Sequence, residues 1–219
     1  MHRGTLPRYA LGAMPPAIPE MLCPMIEVLM PYADAAAADE FVASTRLWLE
    51  RAVIELNLCP FAKAVYSKKQ IRYAVTAAKT ADELLAELVH ELEMLAQLNP
   101  KELDTTLLIH PLAMTDFIDY HFFLGEADAA VKNLGLDGVL QIASFHPGYE
   151  FAGTATDDID NYTNRSPHPT LHLLREASID RAVAAYPDAA EIFDRNIETL
   201  RRLGHEGWRR LWLAEQPKK

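Results

Sequence analysis

Cysteine is scarce in this chain. Two are present among 219 residues, Cys23 and Cys59, far apart and in dissimilar contexts. No disulfide framework follows from them, and a reducing, cytoplasmic setting is expected. The sequence also lacks a run of about 20 apolar residues, the length a membrane-spanning helix needs. Arg3 and Arg8 precede moderately apolar residues, but Pro15, Pro16, Pro19, Pro24 and Pro31 break any signal-peptide core. Positive charge is short as well: 21 Lys and Arg stand against 31 Asp and Glu, a formal net charge of -10. That balance argues against a nucleic-acid partner or an anionic-membrane partner, which require a basic footprint. Three glycine fingerprints are missing: GxGxxG, GxxxxGK with a following Ser or Thr, and GxSxG. Dinucleotide, P-loop and serine-hydrolase readings are disfavoured accordingly.

What remains is ordinary globular material, 50% hydrophobic and 24% charged, enough for one core. Residues 1–38 are proline-rich, end in an alanine run and read as a poorly ordered tail; Met21, Met25 and Met30 are alternative starts. Residues 39–214 read as a single α/β domain and 215–219 as a frayed end. Phe41, Thr45, Trp48, Ala52 and Leu56 recur at helical spacing. Asn57 is placed to end that helix in the left-handed region. Pro60 then suits the first position of a short helix, with Cys59 at its N-cap.

Residues 71–76, 105–109 and 139–145 read as strands. Thr80-Ala81-Asp82-Glu83 has the pattern of a capping box before a helix striped by Leu84, Leu88, Leu92 and Leu95. Thr115 is the expected cap of the next helical region, which should break near Gly125 and stop at Gly135. After residue 168 the chain is expected to be helical throughout. Ser178 should open one helix, and Asp188 to Glu191 should form a second capping box. The last helical run should stop at Gly204, before a segment that carries Trp208, Leu211 and Trp212. Strands alternating with helices imply a small, mostly parallel sheet of three to four strands, with crossover helices and a C-terminal helical layer. A fourth strand is expected, if anywhere, near 149–154.

The stretch 141–175, QIASFHPGYEFAGTATDDIDNYTNRSPHPTLHLLR, is the unusual one. Structureless loops this long in compact domains are generally functional or disordered, and its aromatic and amide content suits an ordered wall. Two strands end alike, at His110-Pro111 and His146-Pro147, which places both imidazoles at the carboxyl edge where α/β sheets bind ligands. Cys59 at a helix start, one turn before Lys63, is a candidate nucleophile with a lowered thiol pKa. His146 is the candidate acid/base group. Arg72, Arg165, Thr154, Asn161, Asn164, His110 and Lys63 are candidates to hold a small anionic ligand. Arg72 and Arg175 have a plainer reading too, as partners of Glu150, Glu176 or another carboxylate. No resident cofactor is expected; the alternative is a divalent metal on His146, His168 and His172, of which the last two share a helical spacing. Nothing in the sequence fixes the oligomeric state.

Several blocks together carry a resemblance: Asn57-Leu58-Cys59-Pro60-Phe61-Ala62-Lys63, Ile71-Arg72-Tyr73, Asp104-Thr105-Thr106-Leu107-Leu108, Ser144-Phe145-His146-Pro147, Phe151-Ala152-Gly153-Thr154 and Asn161-Tyr162-Thr163-Asn164-Arg165-Ser166-Pro167. From residue 39 to 208 the chain resembles a bacterial family catalogued as domain of unknown function fourteen-fifteen. The resemblance singles out Cys59, Arg72, His146, Asn161, Asn164 and Arg165 and implies no activity. Three expectations follow. One is an enzyme, hydrolase or transferase, acting on a small anionic metabolite through a Cys/His/Arg pocket. The second is a metal-dependent hydrolase or oxygenase. The third is a non-catalytic module that binds a ligand or partner through the loop.

Overall fold

The computed structural model describes residues 35–185 and 191–213. Most of the 1–38 tail, the 188–191 capping box up to residue 190, and the 215–219 end lie outside them. The first helix, α1 (Ala35–Trp48), begins within the alanine run, ahead of the expected domain start at Asp39. It continues as a π-helix, Leu49–Ile54, and the stretch ends at Asn57, whose φ of 56° is the expected left-handed stop. The short α2 (Ala62–Ser67) has Phe61, not Cys59, at its N-cap.

Then follow β1 (Ile71–Val75), α3 (Ala81–Gln97), β2 (Thr105–Ile109), α4 (Phe117–Asn133) and β3 (Leu140–Phe145). The Thr80 capping box forms with both its hydrogen bonds. Asp116 rather than Thr115 caps α4, accepting from the Ile118 and Asp119 amides, and α4 passes Gly125 unbroken. A 3-10 helix, Ile159–Thr163, lies within the long loop. Beyond it come β4 (Thr170–Arg175), α5 (Glu176–Ala184) and α6 (Ile192–Leu211). Ser178 thus falls inside α5, and α6 kinks at Gly204, where φ 64° and ψ 172° are non-helical.

The sheet order is β1-β2-β4-β3. Only β1 and β2 pair in parallel; β4 is antiparallel to both of its neighbours. The expected mostly parallel sheet is therefore corrected, and so is the helical reading of 169–175. Geometry explains the reversal. The chain leaves β3 at the carboxyl edge and re-enters from that edge after the loop, so the next strand has to run backwards. Leu171 and Leu173 are fully buried while His172 and Leu174 are half-buried, the period-two signature of a strand.

Two apolar layers clothe the sheet. On one face Leu84, Leu88, Leu92 and Leu95 of α3, with Tyr120, Phe123 and Ala127 of α4, pack on Ala74, Leu108, Leu171 and Leu173. On the other, Val42, Trp48 and Leu49, with Leu200 and Trp208 of α6, pack on Tyr73, Val75, Leu107 and Ile109. The result is a three-layer α/β/α domain. Each strand serves both layers because alternate side chains point to opposite faces.

Candidate functional site

The sheet separates the residues that the sequence nominated. Arg72 points into the α3 layer. It is fully buried and makes two hydrogen bonds to Glu91, Nε to Oε2 at 2.9 Å and Nη2 to Oε1 at 3.0 Å. The plainer reading of Arg72 is what the geometry shows. Glu91 sits on the leucine stripe of α3, and a carboxylate interrupting that stripe was the overlooked signal. Cys59 packs in the opposite layer, against the α1–α6 core. Burial raises its thiol pKa, outweighing the backbone N–H groups of Phe61 and Ala62 that lower it. Lys63 is exposed on α2. Cys59, Arg72 and His146 are thus not gathered around one cavity.

The histidines are likewise dispersed. His110 and His146 do reach one edge, with Tyr120 of α4 between them. The Tyr120 ring stacks on His110 at 5.7 Å and on His146 at 5.1 Å. His146 is engaged at both ring nitrogens: Nδ1 accepts from the Gly148 amide at 3.0 Å, and Nε2 faces the Met114 carbonyl at 3.2 Å. Its Nε2–H tautomer satisfies both contacts. Burial lowers the pKa of His146 and brings that of His110 down to about 4. His168 and His172 sit on the α1 side. His168 Nε2 meets Ser44 Oγ at 2.8 Å, and His172 Nε2 meets Thr105 Oγ1 at 2.7 Å. His146 turns toward α4 instead. Among the described residues no group of three or more His, Cys, Asp or Glu side chains is arranged to hold a metal ion. The helical spacing expected for His168 and His172 does not arise in a strand.

The loop residues nominated for ligand contact hold the loop itself. Asn161, fully buried, accepts from the Phe151 amide at 3.0 Å and donates to the Ala155 carbonyl at 2.8 Å. The Thr154 hydroxyl lies 2.7 Å from Asn161 Oδ1. Asn164 donates to the Ser144 carbonyl at 3.1 Å and takes the His146 amide on its own carbonyl. Arg165 donates through Nε to the Tyr149 carbonyl at 3.2 Å, bonds the Thr156 carbonyl, and lies 4.3 Å over the Tyr162 ring. Arg201 of α6 grips buried Asp160 with two hydrogen bonds. Arg175 caps the end of α3 by donating to the Leu95 and Leu98 carbonyls at 2.5 and 2.7 Å, and it also reaches the Leu103 carbonyl ahead of β2.

This scaffolding fixes a row of rings. Phe117 meets Tyr149 at 5.2 Å, Tyr149 meets Phe151 at 5.0 Å, and Phe151 meets Phe193 of α6 at 6.0 Å. On α4 the row continues through His121 to Phe122. Phe122 is 74% exposed, Ile118 58% and Phe193 54%. Ile118 and Phe122 stand one turn apart on α4 and Phe193 at the far end of the row, and large exposed apolar residues grouped in this way mark interaction surfaces. The α4 side of the row escaped notice in the sequence because Phe122 occupies a position indistinguishable from a core phenylalanine.

These features define an α/β/α domain with a loop-braced aromatic face at the sheet's carboxyl edge. The chain belongs to the family described as protein of unknown function DUF1415, whose model matches residues 40–210. No curated protein and no solved structure matches it. No helix among the described residues is long and apolar enough to cross a membrane.

Proposed function

We propose that this domain is a recognition module that docks a basic, amphipathic segment of another protein on its aromatic face. The observation that carries the reading is how the loop's polar side chains are used. Asn161 and Arg165 fix the backbone of Phe151 and Tyr149 respectively, so the loop's hydrogen bonds serve to pre-position two rings. Pre-positioning lowers the ordering cost of binding. Charge selects the partner. On α4 the acids Asp116, Asp119, Glu126 and Asp128 outnumber the single cation Lys132, in a chain of net charge -10, while at the α6 end Phe193 is followed by Asp194 and Arg195. A two-fold dimer through this face would set the same acids against each other, which favours a basic partner over a second copy.

An enzyme acting on a small anionic metabolite through Cys59, His146 and Arg72 has less support. Burial raises the Cys59 thiol, both His146 nitrogens are engaged, and Arg72 is neutralised across the sheet. The metal-dependent alternative rests on three histidines that the fold spreads over two faces.

The test is fluorescence anisotropy with a labelled Leu/Lys peptide of about 15 residues, long enough to lay one apolar face in a groove. Binding that weakens about tenfold in Phe122→Ser and in Ile118→Ser, as expected of anchor residues, supports the reading. A Leu/Glu peptide of equal length should bind far more weakly. Equal affinity of both peptides, or no change in either variant, overturns it. Concentration-dependent dimerisation lost in Phe122→Ser would replace the basic partner with a second copy.

A further inference from the structure

A second site lies where the Leu56–Pro60 turn meets α6, next along the helix from Phe193 at the end of the aromatic face. A cleft of about 250 Å³ opens there. One wall is Leu56, Asn57 and Pro60. The other is one face of α6, on which Arg195, Thr199 and Arg202 follow at intervals of four and three residues and so project the same way. Ile192 and Asn196 complete that wall.

We infer that this cleft binds a small organic anion, a carboxylate or phosphate monoester with a compact apolar body. Three observations carry the inference. First, the lining contains two arginines and no Asp or Glu, in a chain where acids outnumber Lys and Arg by 31 to 21. Arg195 also pairs with Glu191 at 3.1 Å, a solvent-exposed contact, while no carboxylate among the described residues pairs with Arg202. Arg202 is exposed at the rim of the cleft, where a phosphate or carboxylate would gain a charge-assisted hydrogen bond from it.

Second, the turn is held in backbone conformations that are rarely populated. It emerges from the π-helix Leu49–Ile54 and contains Asn57 at φ 56°. Asn57 is an ordinary left-handed helix stop, but π-helical turns are rare and occur frequently at functional sites. The walls are tied together, since Asn196 Nδ2 donates to the Leu58 carbonyl at 2.8 Å, so the cleft is built rather than incidental.

Third, the lining is divided. Leu56, Pro60 and Ile192 offer apolar area, and Thr199, Asn57 and Arg202 offer donors, the mixture typical of small-ligand sites. The volume falls just below the usual range of about 300–1,000 Å³ for such sites, which favours a ligand the size of a single ring over a nucleotide. The cleft shares α6 with the aromatic face but uses none of its ring residues, and separate probes and variants test the two proposals.

The probes are phenyl phosphate and benzoate, with inorganic phosphate and acetate as bare head groups. Titrations are followed by amide shifts in two-dimensional NMR. Saturable shifts at Asn57, Thr199 and Arg202 below about 10 mM are expected, with either ring-bearing probe tighter than its bare head group. Arg202→Ala should weaken binding about tenfold. Arg209→Ala, outside the lining and on the same helix, should leave it unchanged. Preference for phenyl phosphate or for benzoate identifies the head group. If no probe saturates, if the shifts fall elsewhere, or if Arg209→Ala weakens binding as much as Arg202→Ala, the assignment is overturned.

Discussion

Arg72 and Glu91 form an internal ion pair in which both side chains are 0% exposed, joined by two nearly equal hydrogen bonds. The pair pins β1 to the centre of α3. Burying two charges is costly, and only close, two-pronged geometry offsets it. The pair gives Arg72 a structural role within a motif that invites a ligand-binding interpretation.

Removing one partner should be far worse than removing both. Glu91→Ala is expected to lose about 3–5 kcal/mol because it leaves a buried guanidinium uncompensated. A double replacement, Arg72→Met with Glu91→Leu, should recover most of that loss. Urea denaturation of the three proteins checks the ordering. A Glu91→Ala protein as stable as wild type would contradict the pairing.

Stability should fall as the solution is acidified from near neutrality. Burial depresses His110 and His172 to about 4 in the folded state, below the unfolded value of about 6.5. Between those values the unfolded chain binds more protons, so acid favours unfolding. The stabilisation is complete above about pH 6.5 and is lost as pH falls through 4, at most about 3 kcal/mol per histidine. Denaturation midpoints measured from pH 7.5 to 4 should drop, and His110→Phe should flatten part of the slope.

The Tyr120 hydroxyl joins two strands, donating to the Thr170 carbonyl at 3.0 Å and accepting from the Phe145 amide at 3.1 Å. Tyr120→Phe should cost about 1–3 kcal/mol, the range for stranding buried hydrogen-bonding groups. Amide exchange at Phe145 should accelerate in that variant more than exchange at Leu107.

Cys59 should react slowly. Its thiol is raised by burial, so in a Cys23→Ser background iodoacetamide labelling at pH 7.5 should lag well behind that of free cysteine. Labelling faster than the free thiol would return Cys59 to candidacy as a nucleophile.

Much of the layer order was legible. The Thr80 capping box, the left-handed Asn57, the three strands near 71, 105 and 139, and the break at Gly204 all follow from local rules about caps, periodicity and backbone freedom. β4 was misread because Leu171, Leu173 and Leu174 fit either period in so short a run, and only the re-entry of the chain at the carboxyl edge decides between them. The partners of the nominated site residues were hidden for a related reason. Asn161, Arg165 and Arg72 carry polar groups that serve a ligand or the fold equally well. Which of the two they serve depends on partners such as the Phe151 amide and Glu91, distant or unremarkable in sequence. Arg202 and Phe122 looked ordinary because a helix's exposed face acquires meaning from what lies opposite.

On the proposed reading Asn161 holds Phe151 in place so that the aromatic face can bind. One paired experiment on Asn161→Ala addresses it: amide hydrogen exchange together with titration by the labelled Leu/Lys peptide. Leu171 and Leu173 of β4, fully buried, report whether the fold is intact. The prediction is faster exchange at the Phe151 amide, unchanged protection at Leu171 and Leu173, and about tenfold weaker peptide binding. Wild-type affinity for the peptide with the Phe151 amide released would contradict the account.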